Sequence, residues 1–149
     1  MHQLDLLTRE NRDVTVDSTR QSRLGLTSAS DLCAAEVTPA KIFVKHIRAN
    51  DQPAMQALCQ GLYNDAEWIV KGEGEIVGSL YKDVLKAREL VTIKGVGKTY
   101  SGIYYVTKVK HVFTDSGYTQ QFNVKRNALN PDGSEDFGGG GSSIGGASL

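Results

Sequence analysis

The sequence predicts a mainly β, α+β domain: a small tube-like β-barrel or strongly bent antiparallel sheet with one packed α-helix. Two observations carry that prediction. A single helical period begins near residue 51, and after Trp68 the period changes to two while glycines punctuate the chain at Gly72, Gly74, Gly78, Gly95, Gly97, Gly102 and Gly117. The 149 residues leave room for one domain of ordinary size. A chain of this length buries about two-thirds of its unfolded surface, which is enough for stability without disulfides or metals.

Residues 1–31 are rich in Thr, Ser, Arg and Asp, and Val14-Thr15-Val16 is their only strand-like alternation. They read as a polar N-terminal arm or the remnant of a preceding domain, with weak intrinsic structure. The domain proper is placed at 32–130. Its first element is a strand over Lys41-Ile42-Phe43-Val44-Lys45-His46-Ile47, a β-branched and aromatic run. Asn50-Asp51-Gln52-Pro53 then starts a helix, with a capping side chain followed by Pro where backbone N–H groups lack intrahelical partners. The helix is predicted over about 51–67, because Met55, Leu58, Leu62, Ala66 and Ile69 recur at three- and four-residue intervals. Such a stripe packs on a sheet and leaves Gln56, Gln60, Asn64 and Asp65 in water.

Short strands are predicted over 68–71, 75–77 and 90–94. A hairpin follows: Ile103, Tyr105, Val109 and Phe113 alternate on one face of a long strand, Thr114-Asp115-Ser116-Gly117 turns, and 118–125 returns. On the return Tyr118, Phe122 and Val124 share one face and Thr119, Gln121 and Asn123 the other. Residues 131–149 read as a flexible tail, since 138–149 hold six Gly and three Ser and bury too little apolar surface to order themselves.

The 17 Lys+Arg balance 17 Asp+Glu, so the chain is no general polyanion binder, yet the charges are segregated. Residues 82–126 carry nine basic and three acidic side chains, and the segments on either side are each acidic by three. No stretch reaches the ~20 apolar residues of a membrane span, and the N-terminus lacks a basic-then-apolar leader pattern. A cytoplasmic chain without membrane insertion is the expectation. Cys33 and Cys59 have no CxxC partner or His at ligand spacing and read as small buried hydrophobes.

Motifs for chemistry fall short. Gly95-Val96-Gly97-Lys98-Thr99 ends like a phosphate-binding loop, but Thr92 stands where the leading Gly belongs, and a strand follows instead of the helix that would hold phosphate. It reads as a glycine-rich β-turn. Gly72-Glu73-Gly74-Glu75-Ile76-Val77-Gly78 misses the dinucleotide spacing and carries two carboxylates that would repel a pyrophosphate. His111 shares a face with Tyr105, Val109 and Phe113 and reads as a buried or half-buried imidazole bonded to a neighbour, and the sequence offers no nucleophile elbow. Glu73 and Glu75, two apart in a Gly-rich turn, are solvated carboxylates before they are an acid and base pair. No enzyme, cofactor or metal site is expected.

A stretch of the chain resembles a known family. Gly95-Val96-Gly97 with Tyr100-Ser101-Gly102-Ile103-Tyr104-Tyr105-Val106, the strand end Val109-Lys110-His111-Val112-Phe113, and Gly117-Tyr118 with Phe122 and Arg126-Asn127-Ala128 resemble the C-terminal part of the phage late control D family. These are baseplate hub proteins of contractile phage tails and related injection systems, similar to the hub portion of VgrG spikes. The resemblance covers about 36–130.

It implies a structural hub domain joining a tail tube to a central spike, with the chain itself as first partner in a trimer and tube and spike proteins as neighbours. Family hubs are more than twice as long, so a separate chain supplying a missing barrel is a further implied partner. The implied location is the cytoplasm before assembly and the baseplate of the particle afterwards. Thr119, Gln121, Asn123, Lys108 and Lys110 are then the assembly or channel face. Met55, Leu58, Leu62, Gly95, Gly97, Gly102, Tyr105, His111, Phe113 and Phe122 are core or structural positions. Independently of the resemblance, the basic, Tyr-rich segment 82–126 supports an alternative, a small nucleic-acid-binding barrel using stacking rings and cations. Strand edges left open by an incomplete barrel favour pairing between chains.

Overall fold

The computed structural model describes residues 2–4, 9–34, 49–78, 81, 83–135 and 143–145. The strand expected over 41–47 lies outside them. In chain order the elements are β1 (His2–Leu4), β2 (Asn11–Asp13), β3 (Thr27–Ser28), α1 (Ala29–Ala34), α2 (Gln52–Ala66), β4 (Val70–Val77), β5 (Leu90–Lys94), β6 (Gly102–Thr114), β7 (Gly117–Arg126), β8 (Ala128–Leu129) and β9 (Ser143–Gly145). The fold is mainly β, a curled antiparallel half-barrel sheet accompanied by one long helix. Among the described residues, no helix is long and apolar enough to cross a membrane.

Helix α2 starts where the sequence predicts. The Asp51 carboxylate accepts from the Ala54 backbone N–H at 2.8 Å, and Pro53 sits in the first turn. Its surroundings differ from the expectation. Met55 is fully buried, but against Val14 and Ala49, with Val16 and Cys59 beside them, and not against the sheet. The supposedly solvated side holds the N-terminal segment: Gln60 Nε2 donates to the Ser18 carbonyl at 2.9 Å, and Asn64 Oδ1 accepts from Thr19 Oγ1 at 3.0 Å and the Arg20 N–H at 3.2 Å. Leu58 is half-buried, whereas Leu62, expected in the core, is 39% exposed and Ile69 is exposed too. A stripe of spacing reports which face is apolar, and does not report what covers it. Cys59 is half-buried and Cys33 exposed, so the expectation that both are buried hydrophobes fails for Cys33.

The main sheet has the order β4-β7-β6-β5-β9. The two short strands predicted at 68–71 and 75–77 are one eight-residue strand, β4, because Gly72 and Gly74 lie within the ladder opposite Val124 and Phe122. A Cβ on Gly74 would come 2.7 Å from the Phe122 ring, so the glycine is the space into which that ring packs. The β6–β7 hairpin closes through Asp115-Ser116, with Thr114 paired to Gly117, whose φ is +130°.

Counting alternation along β6 fails at one residue. The register steps from Val106↔Val124 to Lys108↔Asn123, leaving Thr107 as a bulge whose Oγ1 donates to the Asn123 carbonyl at 3.0 Å. Before the bulge the core residues are Gly102, Tyr104 and Val106, so Ile103 and Tyr105 lie on the opposite face from the one expected. After it, Val109, His111 and Phe113 return to the core side, opposite Phe122, Gln120 and Tyr118. That side is uncovered near the hairpin tip, where Phe113 is 77% exposed and His111 exposed.

The core consists of Ile76, Leu85, Val91, Ile93, Tyr104, Val106, Phe122 and Val124. Burying each such aliphatic or aromatic side chain contributes about 1.5–3 kcal/mol. Leu85 comes from the β4–β5 connection and is tied down by buried Gln120, whose Oε1 accepts from the Leu85 N–H at 2.7 Å while its Nε2 donates to the Asp83 carbonyl at 2.9 Å.

Two further pieces depart from expectation. Part of the arm is knit to the sheet end: β3 pairs with β8, and α1 starts on a reciprocal cap in which the Asp31 N–H donates to Ser28 Oγ and the Ser28 N–H to Asp31 Oδ2. The bond from the Ser28 backbone, with its hydroxyl next, holds the Asp31 carboxyl below its usual range. In the tail, Ser143–Gly145 is not free chain but pairs in parallel with Thr92–Lys94.

Candidate functional site

Strand parity and register place the predicted assembly residues on one surface. On the sheet face opposite the core, Glu73, Asn123 and Lys108 form one cross-strand row, Glu75, Gln121 and Lys110 the next, and Val77, Thr119 and Val112 a third. Thr119, Gln121, Asn123, Lys108 and Lys110 are therefore neighbours on this face. The first two of these three rows carry a gradient of charge: carboxylates on edge strand β4, amides on β7, ammonium groups on β6. Gln121 Nε2 donates to Glu75 Oε2 at 2.9 Å, linking two of the columns.

The fourth row of this face adjoins an aromatic pair, Trp68 and Tyr105. Lys71, Lys125, Tyr105 and Leu90 lie across it. Lys125 Nζ stands 4.1 Å from the Trp68 ring centroid and 5.9 Å from that of Tyr105, and the two rings are 5.9 Å apart. Tyr105, expected in the core, is thus a half-buried member of an outer cluster. Of the rings in the basic segment, Tyr104 is buried and Tyr105 faces Trp68 and Lys125, while Tyr100 and Phe113 are exposed.

Ser101, Gly102 and Tyr104 converge on Arg126, to which the sequence pattern assigned no structural role. Arg126 is fully buried. Its Nε donates to the Leu24 carbonyl at 2.9 Å, Nη1 to the Ser101 carbonyl at 3.0 Å, and Nη2 to the Asn130 carbonyl at 3.1 Å, while Nη2 lies 3.6 Å from Glu135 Oε1. Gly25 and Gly102 leave room for the guanidinium, for a Cβ on either would approach Nη2 to 2.5 Å. Asn127 continues the clamp, accepting from the Leu24 N–H at 3.0 Å and donating to the Ser22 carbonyl at 2.9 Å. Glu135 is presented by a tight turn in which the Ser134 hydroxyl and backbone N–H hold the Asp132 carboxyl below its usual range. One signal for this cage was available: Gln120 and Arg126 have the same parity as Phe122 and Val124, so an even strand had to point both polar groups inward.

Tyr104 belongs to this neighbourhood. Its hydroxyl donates to the Tyr100 carbonyl at 2.6 Å, and the Arg126 guanidinium carbon lies 5.5 Å from the ring centroid. Burial pushes the phenol pKa up, against the opposing pull of Arg126.

The remaining motifs resolve into structure. Gly95 and Gly97 take φ values of +89° and +90°, the Ser101 N–H donates to the Gly97 carbonyl, and β6 follows directly. The turn borders an open depression of about 570 Å³ lined by Lys94, Lys98, Ser101 and Asn130. His111 Nδ1 lies 2.7 Å from Tyr118 Oη, and Tyr118 stacks on Phe113 with centroids 4.6 Å apart. This places an aromatic ladder at the hairpin tip, with the imidazole hydrogen-bonded to the Tyr118 hydroxyl. Among the described residues no three His, Cys, Asp or Glu gather as a metal site.

No family model, no curated protein sequence and no solved structure matches the chain.

Proposed function

We propose that this chain is a structural assembly protein: a baseplate hub component of a contractile phage tail or a related injection system, joining tube to spike by oligomeric β-pairing. The resemblance supplies the system. The observation that carries the assembly role is the pair of edges of the main sheet. On one side β4 has no strand partner among the described residues; on the other β5 carries only the three-residue β9.

Between those edges stand four strands, β4, β7, β6 and β5, each antiparallel to the next. An even number means that β4 and β5 run in opposite directions. A second copy in the same orientation therefore continues the antiparallel alternation, and the sheet's curl bends successive copies toward a closed tube. Setting Glu73 of one copy opposite Lys94 of the next places Glu75 by Thr92, Val77 by Leu90, Ile76 by Val91 and Gly74 by Ile93. In that register each core residue stays on the core face, and the charged pair at its end, Glu73 with Lys94, is of opposite sign. The trimer is the order that the resemblance implies.

The test is to tag the chain in its native host, sediment the lysate, and examine the pellet by mass spectrometry and negative-stain microscopy. A few copies per tube-and-sheath particle is the expected outcome. Recovery only in light fractions, alone or with nucleic acid, would overturn the hub reading.

A further inference from the structure

The strand β9 has no counterpart in the sequence expectations, and its position bears on how the β5 edge is used. It is the one parallel strand of the main sheet, three residues long, set against Thr92, Ile93 and Lys94. Its sequence surroundings are the least favourable for a strand: Gly138-Gly139-Gly140-Gly141 upstream, and Gly145-Gly146 at its far end. Glycine loses the most conformational freedom on ordering, and parallel pairing is slightly weaker per residue than antiparallel. What it covers is the reverse. Leu90-Val91-Thr92-Ile93 is an apolar, β-branched edge of the kind that templates pairing between chains.

We infer that the tail segment Ser143–Gly145 is a removable cover of the β5 edge, which it occupies in the free chain and yields to β4 of a second copy during assembly. The inference rests on the assembly reading above and adds its regulation. Two magnitudes set the behaviour. A tethered segment meets its own edge at an effective concentration in the millimolar range, so at micromolar protein it outcompetes a free second copy. Once copies are held side by side on a growing structure that advantage vanishes, and the five residues of β5 pairing antiparallel with β4 displace three residues pairing in parallel. The occupant is a second copy because β4 is the other open edge of the same sheet, runs in the required direction, and matches β5 in charge and in core parity.

Two full-length variants test this by sedimentation velocity over a wide concentration range. Ile144→Pro removes a backbone N–H from the middle of β9 and uncovers the edge. The pair Thr92→Cys and Ser143→Cys, made with Cys33→Ser and Cys59→Ala, joins two register partners and locks the cover when oxidised. Hydrogen exchange over 102–126 checks that each variant retains the hairpin. The expected result is self-association tighter than wild type by about tenfold or more for Ile144→Pro, and a monomer for the oxidised lock that associates again on reduction. If Ile144→Pro and the oxidised lock both associate as wild type does, β9 does not guard the edge, while association itself stands. If the proline variant and the reduced lock stay monomeric at every concentration, edge pairing fails and the cover with it.

Discussion

The guanidinium of Arg126 reaches the carbonyl of Leu24 at 2.9 Å across 102 positions of sequence. That bond and its companions fasten the N-terminal segment, the Tyr100–Ser101 turn and the Asn130–Glu135 turn to the end of one strand. Removing the side chain takes a donor from the Leu24 and Ser101 carbonyls and leaves the buried Glu135 carboxylate, still bonded to the Asp132 and Gly133 N–H groups, without its countercharge. Arg126→Met should cost about 3–5 kcal/mol in chemical denaturation, and Arg126→Lys should restore only a minor part, because an ammonium cannot serve donors spread over a planar fork. A variant as stable as wild type would show that the cage holds nothing together.

Two glycines should respond to alanine with opposite sign. Gly102 has φ of +148° and faces the Arg126 guanidinium, so Gly102→Ala combines backbone strain with a steric clash and should destabilise by about 2–3 kcal/mol or more. Gly61 lies in the interior of α2 with nothing near its missing Cβ, so Gly61→Ala should stabilise by about 0.5–1 kcal/mol. Thermal or urea melts of the two single variants settle both signs.

Tyr104 makes the protein sensitive to alkali. Burial raises its phenol pKa above the ordinary value of 10.0. The unfolded chain therefore begins to ionise this group at lower pH than the folded chain. Its contribution is fully present below pH 10 and is lost as pH rises through the folded pKa. Spectrophotometric titration should find one tyrosine ionising later than the rest, absent from Tyr104→Phe, and the variant's stability should fall less steeply above pH 10.

Edge pairing has its own charge signature. Glu73→Lys and Lys94→Glu should each weaken self-association by setting like charges against each other across the contact, about three- to fivefold at low salt. The double exchange should recover most of the loss. Single variants that associate as wild type does, or a double variant no better than either single, would exclude the register in which these two residues meet.

Much of the local structure was legible. The start of α2 follows from Asp51 and Pro53, the bounds of β5 from a β-branched run, and the β6–β7 hairpin from alternation closed by Thr114-Asp115-Ser116-Gly117. The outer face of Thr119, Gln121 and Asn123 follows from parity on β7, which has no bulge between those residues. On β6 the same reasoning put Tyr105 inside and Tyr104 outside, since the extra residue at Thr107 reverses parity and leaves no mark in the order of side chains.

By itself, then, the sequence determined the elements whose causes are local: a capping carboxylate, a proline, a turn glycine, a run of uniform alternation. Only the tertiary structure decided which surfaces meet. Met55 found Val14 and Ala49 and not the sheet, Phe113 found no cover, Arg126 drew in the distant Leu24 and Ser101 segments, and Ser143–Gly145 took the edge of β5. Those outcomes turn on burial and hydrogen bonds between residues far apart in the chain, and periodicity cannot encode them because it describes each element against an unspecified neighbour.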